Sequence, residues 1–579
     1  MKFKSMPRKI LTTLVFFLFV IGFTIRIVNL SYPQVVSFEE ASRGYISYSI
    51  SLIGRDDNGQ KYPILFKSLT NYPPPLPIYF STIFIKFFGL NSFGLRFLGA
   101  ILGSLSIIIF FIISYFLIQN TSSLPQKEKS LFPFLAAFLL TFSPWHIFIS
   151  RHDLNLTETL FFSLVLSLLI IFFLLTQKKF LIWLASLTIL ANIFSSYYSL
   201  FPLFFLLFFL KLVGLIKIRH LAILIIPFFI IISLIIFNKE YRKFLINNSV
   251  YHETLLFWEI EPRRQQDTEK GLRFLARPLH NKATYLLEYL GKKYVNYFDP
   301  EFLASPQLTG FKEHTKRIPK IFFWEIPLFL IGVYYFFIFS KEFSSKKIFL
   351  FLLLFLAILP FENLFWKENF LKKEMIFFLP IFYFFLALGL IKVVLKLKSK
   401  KLALFFFVLG GMFFYSFGYL TIIKIYTNPK SWTEARDEIY FQLFKRLDQI
   451  KESYQKIVIT DIFGQPQTFA LFYLKYPPQK YLDTKEAAGF DKNYLTRIDS
   501  FGKFQFSSIK NIKNKLPEVL YIGLREEFVN PNNPTEVASF QPFIKESFTF
   551  NQENPKQDDT VWFVILPKKE LNEISNEKN

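Results

Sequence analysis

The sequence predicts a polytopic α-helical membrane protein of about 11 spans, with a soluble α/β domain at its C-terminal end. Three observations predict it. Of the 579 residues 52% are hydrophobic, and most of these fall in long blocks between residues 10 and 425. Every second loop between the blocks is basic. Beyond residue 425 the apolar residues take the shorter periods of amphipathic helices and buried strands.

A crossing needs about 20 apolar residues. The blocks are 10–30, 93–118, 131–149, 156–176, 179–195, 200–216, 221–237, 321–339, 347–361, 373–393 and 401–425. The first is longer than the apolar core of a signal peptide and no small-residue cleavage site follows it, so it reads as a retained span. Lys2, Lys4, Arg8 and Lys9 precede it. Basic residues then recur at Lys127 and Lys129, Lys178 and Lys179, Lys217 and Arg219, Lys341 to Lys347, and Lys396 to Lys401. This alternation places the N-terminus in the cytoplasm and, with an odd number of spans, the C-terminus outside. The net charge of +24 therefore reads as topology signal and contact with anionic lipid, and excludes a nucleic-acid partner. With no cysteine, the outer segments have no disulfides. The 80 phenylalanines read as compositional bias.

Residues 1–425 form the membrane domain, with outer loops 31–92 and 238–320, and 426–579 form the extracytoplasmic domain. In that domain 431–454 reads as an amphipathic helix and 465–474 as a second helix. "KIVIT" (456–460), "EVLYIGL" (518–524) and "VWFVIL" (561–566) read as buried strands.

The first outer loop opens on "SFEEASRGYISYSISLIGRDDNG", residues 37–59. Ser37 and Glu40 have capping-box spacing, which starts a helix at Phe38. Phe38, Ala41, Tyr45, Tyr48 and Leu52 then share one stripe, expected to lie on the membrane surface. The cap explains Glu40. Glu39 is open to two readings: helix-start charge paired with Arg43, or a reactive carboxylate. A turn follows at 54–63, then a proline-led interfacial helix at 76–88.

The order of these pieces resembles the GT-C membrane glycosyltransferases, within them the protein mannosyltransferase and aminoarabinose transferase group. The matching segments are "FEEA" (38–41), "GRDDNG" (54–59), "PPPL" (73–76), "FGLNSFGLRF" (88–97) and "SPWHIFISR" (143–151), with later likenesses at 316–332, 370–380, 461–476 and 501–506. The resemblance implies a multi-pass enzyme of a prokaryotic plasma membrane. It would transfer one sugar from a polyprenyl-phosphate donor to a protein, lipid or glycan acceptor on the outer face, with inversion.

The same resemblance implies the site. The family base is an Asp in the first outer loop, and Glu39 stands at its position. One added methylene displaces the carboxyl by roughly 1 Å, enough to cost about 100-fold where geometry is strict. A second carboxylate is implied after the S-P-W-H segment, at Glu158 or Asp153, each also readable as a solvated residue at a span end. The basic residue that precedes the family's Pro-Pro-Leu helix is Pro73 here. Arg55, Lys61, Arg151, Lys372 and Lys373 are the candidates to hold the donor phosphate or the lipid, with membrane-surface snorkelling as the alternative. Arg263 and Arg264 are candidates for acceptor or lipid phosphate, or members of a solvated loop face. No cofactor is implied with certainty. The six histidines, His146 and His152 among them, have no metal-site spacing, and a divalent metal stays open. Two other classes compete: a lipid-linked sugar transporter, and a non-catalytic descendant that binds sugar or lipid. Arg26, Glu158, Glu325 and Lys424 fall at outer span ends, away from the midplane sites of transporters. The change of Asp to Glu favours the scaffold.

Overall fold

The computed structural model describes residues 8–68, 72–119, 126–152, 154–248, 260–271, 273–296, 321–338, 378–397, 399–415, 417, 435–462, 464–490, 496–511, 519–529, 534–549 and 560–565. The chain divides into two compact units. One comprises Met1–Leu30 and Arg96–Trp432, the other Ser31–Leu95 and Thr433–Asn579. The first outer loop, expected to belong with the membrane domain, thus groups with the C-terminal domain.

The first unit is helical. Its helices are α1 (Arg8–Ile27), α4 (Ser92–Gln119), whose first turn belongs to the other unit, α5 (Gln126–Thr141), α6 (Pro144–His152), α7 (Leu154–Thr176), α8 (Phe180–Ser195), α9 (Leu200–Leu212) and α10 (Ile218–Phe237). Then come α11 (Lys239–Asn248), α12 (Ile260–Glu269), α13 (Arg273–Leu279), α14 (Lys282–Asn296), α15 (Glu325–Ile338), α16 (Phe378–Lys396) and α17 (Ser399–Tyr415). Among the described residues four helices, α4, α7, α10 and α16, are long and apolar enough to cross a membrane. They become five if the bent pair α5 and α6 counts as one. The block 131–149 is that pair, broken at Pro144 with a bend of 57°. The blocks behind α8, α9 and α15 give apolar helices of 10–17 residues, and 347–361 lies outside the described residues. Phe180, Trp183, Leu187, Phe208, Leu212, Phe229 and Phe237 stand exposed on α8 to α10, as a lipid-facing surface would have them.

Helices α15 and α16 run in the same direction: Phe329 meets Phe378 and Phe382, and Phe336 meets Phe385. Their closeness depends on Gly332 and Gly389. A Cβ on Gly332 would strike the Phe385 carbonyl, and one on Gly389 the Leu328 carbonyl.

The second unit joins the outer loop to a seven-stranded sheet of order β2-β3-β4-β1-β5-β7-β6. The strands are β1 (Ile457–Ile459), β2 (Glu486–Phe490), β3 (Thr496–Phe501), β4 (Phe504–Phe506), β5 (Leu520–Leu524), β6 (Ile544–Thr549) and β7 (Thr560–Ile565). β1 is parallel to β4 and β5, and the other pairs are antiparallel. The three predicted strands, β1, β5 and β7, stand near the middle. Alternate residues separate two cores. Ile457, Ile459, Leu520, Ile522 and Phe563 face helices α18 (Ala435–Ile450), α19 (Pro466–Tyr473) and α20 (Pro478–Thr484). Val458, Tyr521, Trp562 and Val564 face the other side. Glu527, in the short helix α21 (Arg525–Phe528), is buried there. It accepts from Thr460 Oγ1, Ser508 Oγ and the backbone N–H groups of Ile509 and Leu524, each at 3.0 Å.

Helix α2 (Phe38–Ile53) carries the predicted capping box and ends at Gly54 in the left-handed conformation. Its apolar stripe, expected on the membrane surface, instead packs on the C-terminal domain. Phe38 meets Phe469, Tyr45 meets Tyr481, and the Tyr45 hydroxyl donates to the Tyr476 carbonyl at 3.0 Å. Gly44 lies against the Phe472 ring, where a Cβ would approach to 2.7 Å. Leu52, at the far end of the stripe, remains exposed. Helix α3 (Pro75–Phe88) forms as expected and sends Ile78 against Ile46, Ile50 and Phe66 of the same unit.

Two outcomes test this packing. Glu527→Gln turns one acceptor oxygen into a donor facing donors, and is expected to cost roughly 2–3 kcal/mol. It should appear as a lower melting temperature of the detergent-solubilised chain. Gly389→Ala is expected to destabilise by roughly 1–3 kcal/mol, because the obstruction is backbone and cannot rotate away. Gly410→Ala, with open space around it, should leave the melting temperature unchanged.

Candidate active site

In the second unit the candidates sit on and beside α2. Ser37 Oγ accepts from Glu40 N at 3.2 Å, and Glu40 Oε2 accepts from Ser37 N at 2.9 Å. Glu40 is buried and closes the cap. Glu39 is exposed in the first turn. Arg43, one turn later, is only 7% exposed. Among the described residues no ion pair joins Arg43 to a carboxylate. Residues i and i+4 of a helix share a face with about 6 Å between them. The helix thus presents a carboxylate and a guanidinium side by side at its N-terminal end. In the sequence Arg43 stands out only by its i+4 spacing from Glu39. Its burial, decided by packing, is what marks it.

Arg55 and Lys61 are exposed and paired across an isolated antiparallel bridge. The turn between them is closed by Asp56 Oδ1, which accepts from Asn58 N at 3.0 Å and Gln60 N at 2.7 Å. This bridge follows the C-terminal end of α2, a helix of 16 residues. At about 1.5 Å per residue, Glu39 stands roughly 20 Å or more away. A phosphate bonded to the reacting sugar carbon cannot touch both. Arg55 and Lys61 are therefore separated from a reaction centred on Glu39.

In the first unit Arg151 is buried at the end of α6. Its guanidinium donates to the carbonyls of Arg26 and Val28 at 2.8 Å, Asn29 at 3.0 Å and Ile25 at 3.4 Å. Ile25 and Arg26 lie in the last turn of α1, whose carbonyls have no intrahelical partner, and Val28 and Asn29 in the turn that follows, so Arg151 caps the C-terminal end of α1. Its planar fork is committed to backbone. Arg26, fully buried, donates through Nη1 to Gly22 O at 2.8 Å and through Nη2 to His146 Nδ1 at 2.6 Å. Arginine is always the donor, so His146 carries its proton on Nε2. Glu158 is also fully buried, which overturns its reading as a solvated span end, and accepts from Ser195 Oγ at 3.2 Å. Beside it Asn192 Nδ2 donates to Ser163 Oγ at 2.8 Å, tying α8 to α7.

Arg263 pairs with Glu288 at 2.8 Å and lies over the Tyr285 ring. Arg264 donates to the His280 carbonyl at 2.6 Å. Both tie α12 to the segment that follows it, which accounts for them within the loop. Asp153, Lys372 and Lys373 lie outside the described residues. Among the described residues no group of three or more His, Asp or Glu side chains gathers to hold a metal ion.

No family model matches the chain, and no curated protein matches it. Solved structures do. The apo oligosaccharyltransferase of Archaeoglobus fulgidus is 14% identical at a TM-score of 0.46, over 80% of this chain and 64% of that one. Its complex with Zn and sulfate gives 13% and 0.43, over 80% and 61%. The chain thus spans less than two thirds of the archaeal protein. ArnT from Cupriavidus metallidurans bound to undecaprenyl phosphate is 11% identical at a TM-score of 0.39, over 96% of this chain and 98% of that one. Both proteins are GT-C membrane glycosyltransferases, the class that the motif order resembles. All three TM-scores lie below 0.5, and the functional reading stands on the residues.

The turn below α2 generates a pH prediction. Asp57 is buried, and burial together with the adjacent Asp56 carboxylate pushes its carboxyl up to about 8, against the pull of the Lys485 ammonium. Lys485 Nζ donates to the Asp57 carbonyl at 2.7 Å. A carboxyl raised above its ordinary value near about 4 favours the fold while protonated. That contribution is complete below the ordinary value and is lost as pH rises through the folded one. Asp57→Asn is therefore expected to raise the melting temperature at pH 8.5 and to leave it nearly unchanged at pH 4.

Proposed function

We propose that this chain is a membrane glycosyltransferase that moves one sugar from a polyprenyl-phosphate donor to an acceptor, with inversion, using Glu39 as the base. The observation that carries this reading is the division of labour at the start of α2: Glu40 closes the cap, while the neighbouring Glu39 is exposed one turn before the buried Arg43. In the proposed reaction Glu39 takes the proton of an acceptor hydroxyl. The acceptor oxygen bonds to the anomeric carbon from one side as the bond to phosphate breaks on the other. Polyprenyl phosphate leaves with the bonding electrons, and the Arg43 guanidinium neutralises its growing charge. The order of the "FEEA", "GRDDNG", "PPPL" and "SPWHIFISR" segments supports the same class. Glu158 is proposed as the second carboxylate. In this reading the protein is multi-pass with its C-terminal domain outside the cell.

Glu in place of Asp favours one alternative, a descendant that binds the lipid-linked sugar without turning it over. Purified protein incubated with a panel of polyprenyl-phosphate hexoses and pentoses separates the two readings, with released polyprenyl phosphate as the readout. Glu39→Gln is expected to lower turnover about 100-fold or more while donor binding persists. Arg43→Gln is expected to weaken donor binding about tenfold or more. Turnover by Glu39→Gln at the wild-type rate would remove Glu39 as base. Donor binding without turnover by the wild type would establish the scaffold.

A further inference from the structure

We propose a binding site for an anionic phospholipid in the groove between α15 and α16, independent of the transferase reading. The groove encloses about 450 Å³. Leu330, Ile331 and Val393 form its apolar walls, and Tyr335, Lys392 and Lys396 form its polar end. The two ammonium groups lie over one ring, Lys392 Nζ at 5.6 Å and Lys396 Nζ at 5.1 Å from the Tyr335 centroid. No carboxylate lines the groove among the described residues.

The chemistry of the occupant follows from that arrangement. α16 is one of the helices able to cross a membrane, and Lys396 is its last residue, followed by Lys398, Lys400 and Lys401. The polar end therefore sits where hydrocarbon gives way to water. Lys392 is 9% exposed and stands one helical turn deeper than Lys396, which is exposed at the rim. Two cations with a tyrosine match a phosphodiester of net negative charge, and the apolar walls match its acyl chain. A zwitterionic headgroup would bring a third cation against the two lysines. Inorganic phosphate would gain nothing from Leu330, Ile331 or Val393. The close approach of Gly332 and Gly389 holds the two helices at the spacing that shapes the groove.

The test is native mass spectrometry of the full-length protein in detergent, with equimolar dioleoyl phosphatidylglycerol and dioleoyl phosphatidylcholine. Wild type is expected to retain phosphatidylglycerol about tenfold or more over phosphatidylcholine. The pair Lys392→Gln and Lys396→Gln is expected to abolish that preference. If the pair does not fold, Lys396→Gln alone, at an exposed position, is expected to reduce it several-fold. Ile331→Trp keeps both charges, fills the groove, and is expected to lose retention of either lipid. Lys217→Gln with Arg219→Gln, on a different basic loop, should leave the preference intact. Equal retention by wild type and the lysine variants would overturn the proposal. So would displacement of the lipid by millimolar inorganic phosphate.

Discussion

The seat of α2 on the C-terminal domain is the contact on which the second unit depends. It is made at Gly44, the residue of the helix that lies flat on the Phe472 ring because it has no side chain to lift it away. One residue on, Tyr45 stacks edgewise on Tyr481 and gives its hydroxyl proton to the Tyr476 carbonyl. These contacts set the rotation of the helix about its own axis. Rotation then decides everything else on it: Ala41 goes inward and Glu39 is left out. A helix resting on a membrane surface would also turn this stripe inward, but toward lipid. The burial of apolar area against a folded sheet domain, on the order of 25 cal/mol per Å², outweighs what the same stripe gains by resting in headgroups.

Charge inside the helical unit is handled by a different rule. Arg26 and Arg151 are both buried, yet both find acceptors: Arg26 a carbonyl of its own helix and His146 Nδ1 of α6, Arg151 the carbonyls at and just past the end of α1. Backbone carbonyls at the end of α1 need donors, and the Arg151 fork supplies several from one side chain. A lysine there would bring a point charge without the planar spread. Gly103 permits the crowding, since a side chain at that position would collide with Ser150 beside Arg26. The cations nearest the bent pair α5 and α6 therefore act first as scaffolding.

The length of α2 separates two groups that sequence order had placed together. Glu39 and Arg43 share its first turns, while Arg55 and Lys61 lie past its far end. In a linear reading all four belong to one polar segment. In space the first two stand one turn apart at the start of the helix. The last two close a hairpin that rests on Asp56 and is docked through Lys485.

The amino-acid sequence by itself determined the elements whose signals are local. The capping box at Ser37 and Glu40, the proline-led helix α3, and the runs that become β1, β5 and β7 are all written in a few adjacent residues, because caps, turns and continuous apolar strands are decided by nearest neighbours. The strands β2, β3, β4 and β6 left no such mark: most lie toward the sheet's flanks, and sequences such as "TRIDSF" mix polar and apolar residues. Glu39 could be singled out from its neighbours. Only the tertiary structure could bury Arg43 one turn beyond it, commit Arg151 to the end of α1, and turn the stripe of α2 toward protein instead of lipid. Those outcomes depend on which surfaces meet across hundreds of residues, and hydrophobic attraction, having no direction of its own, does not name its partner in the chain.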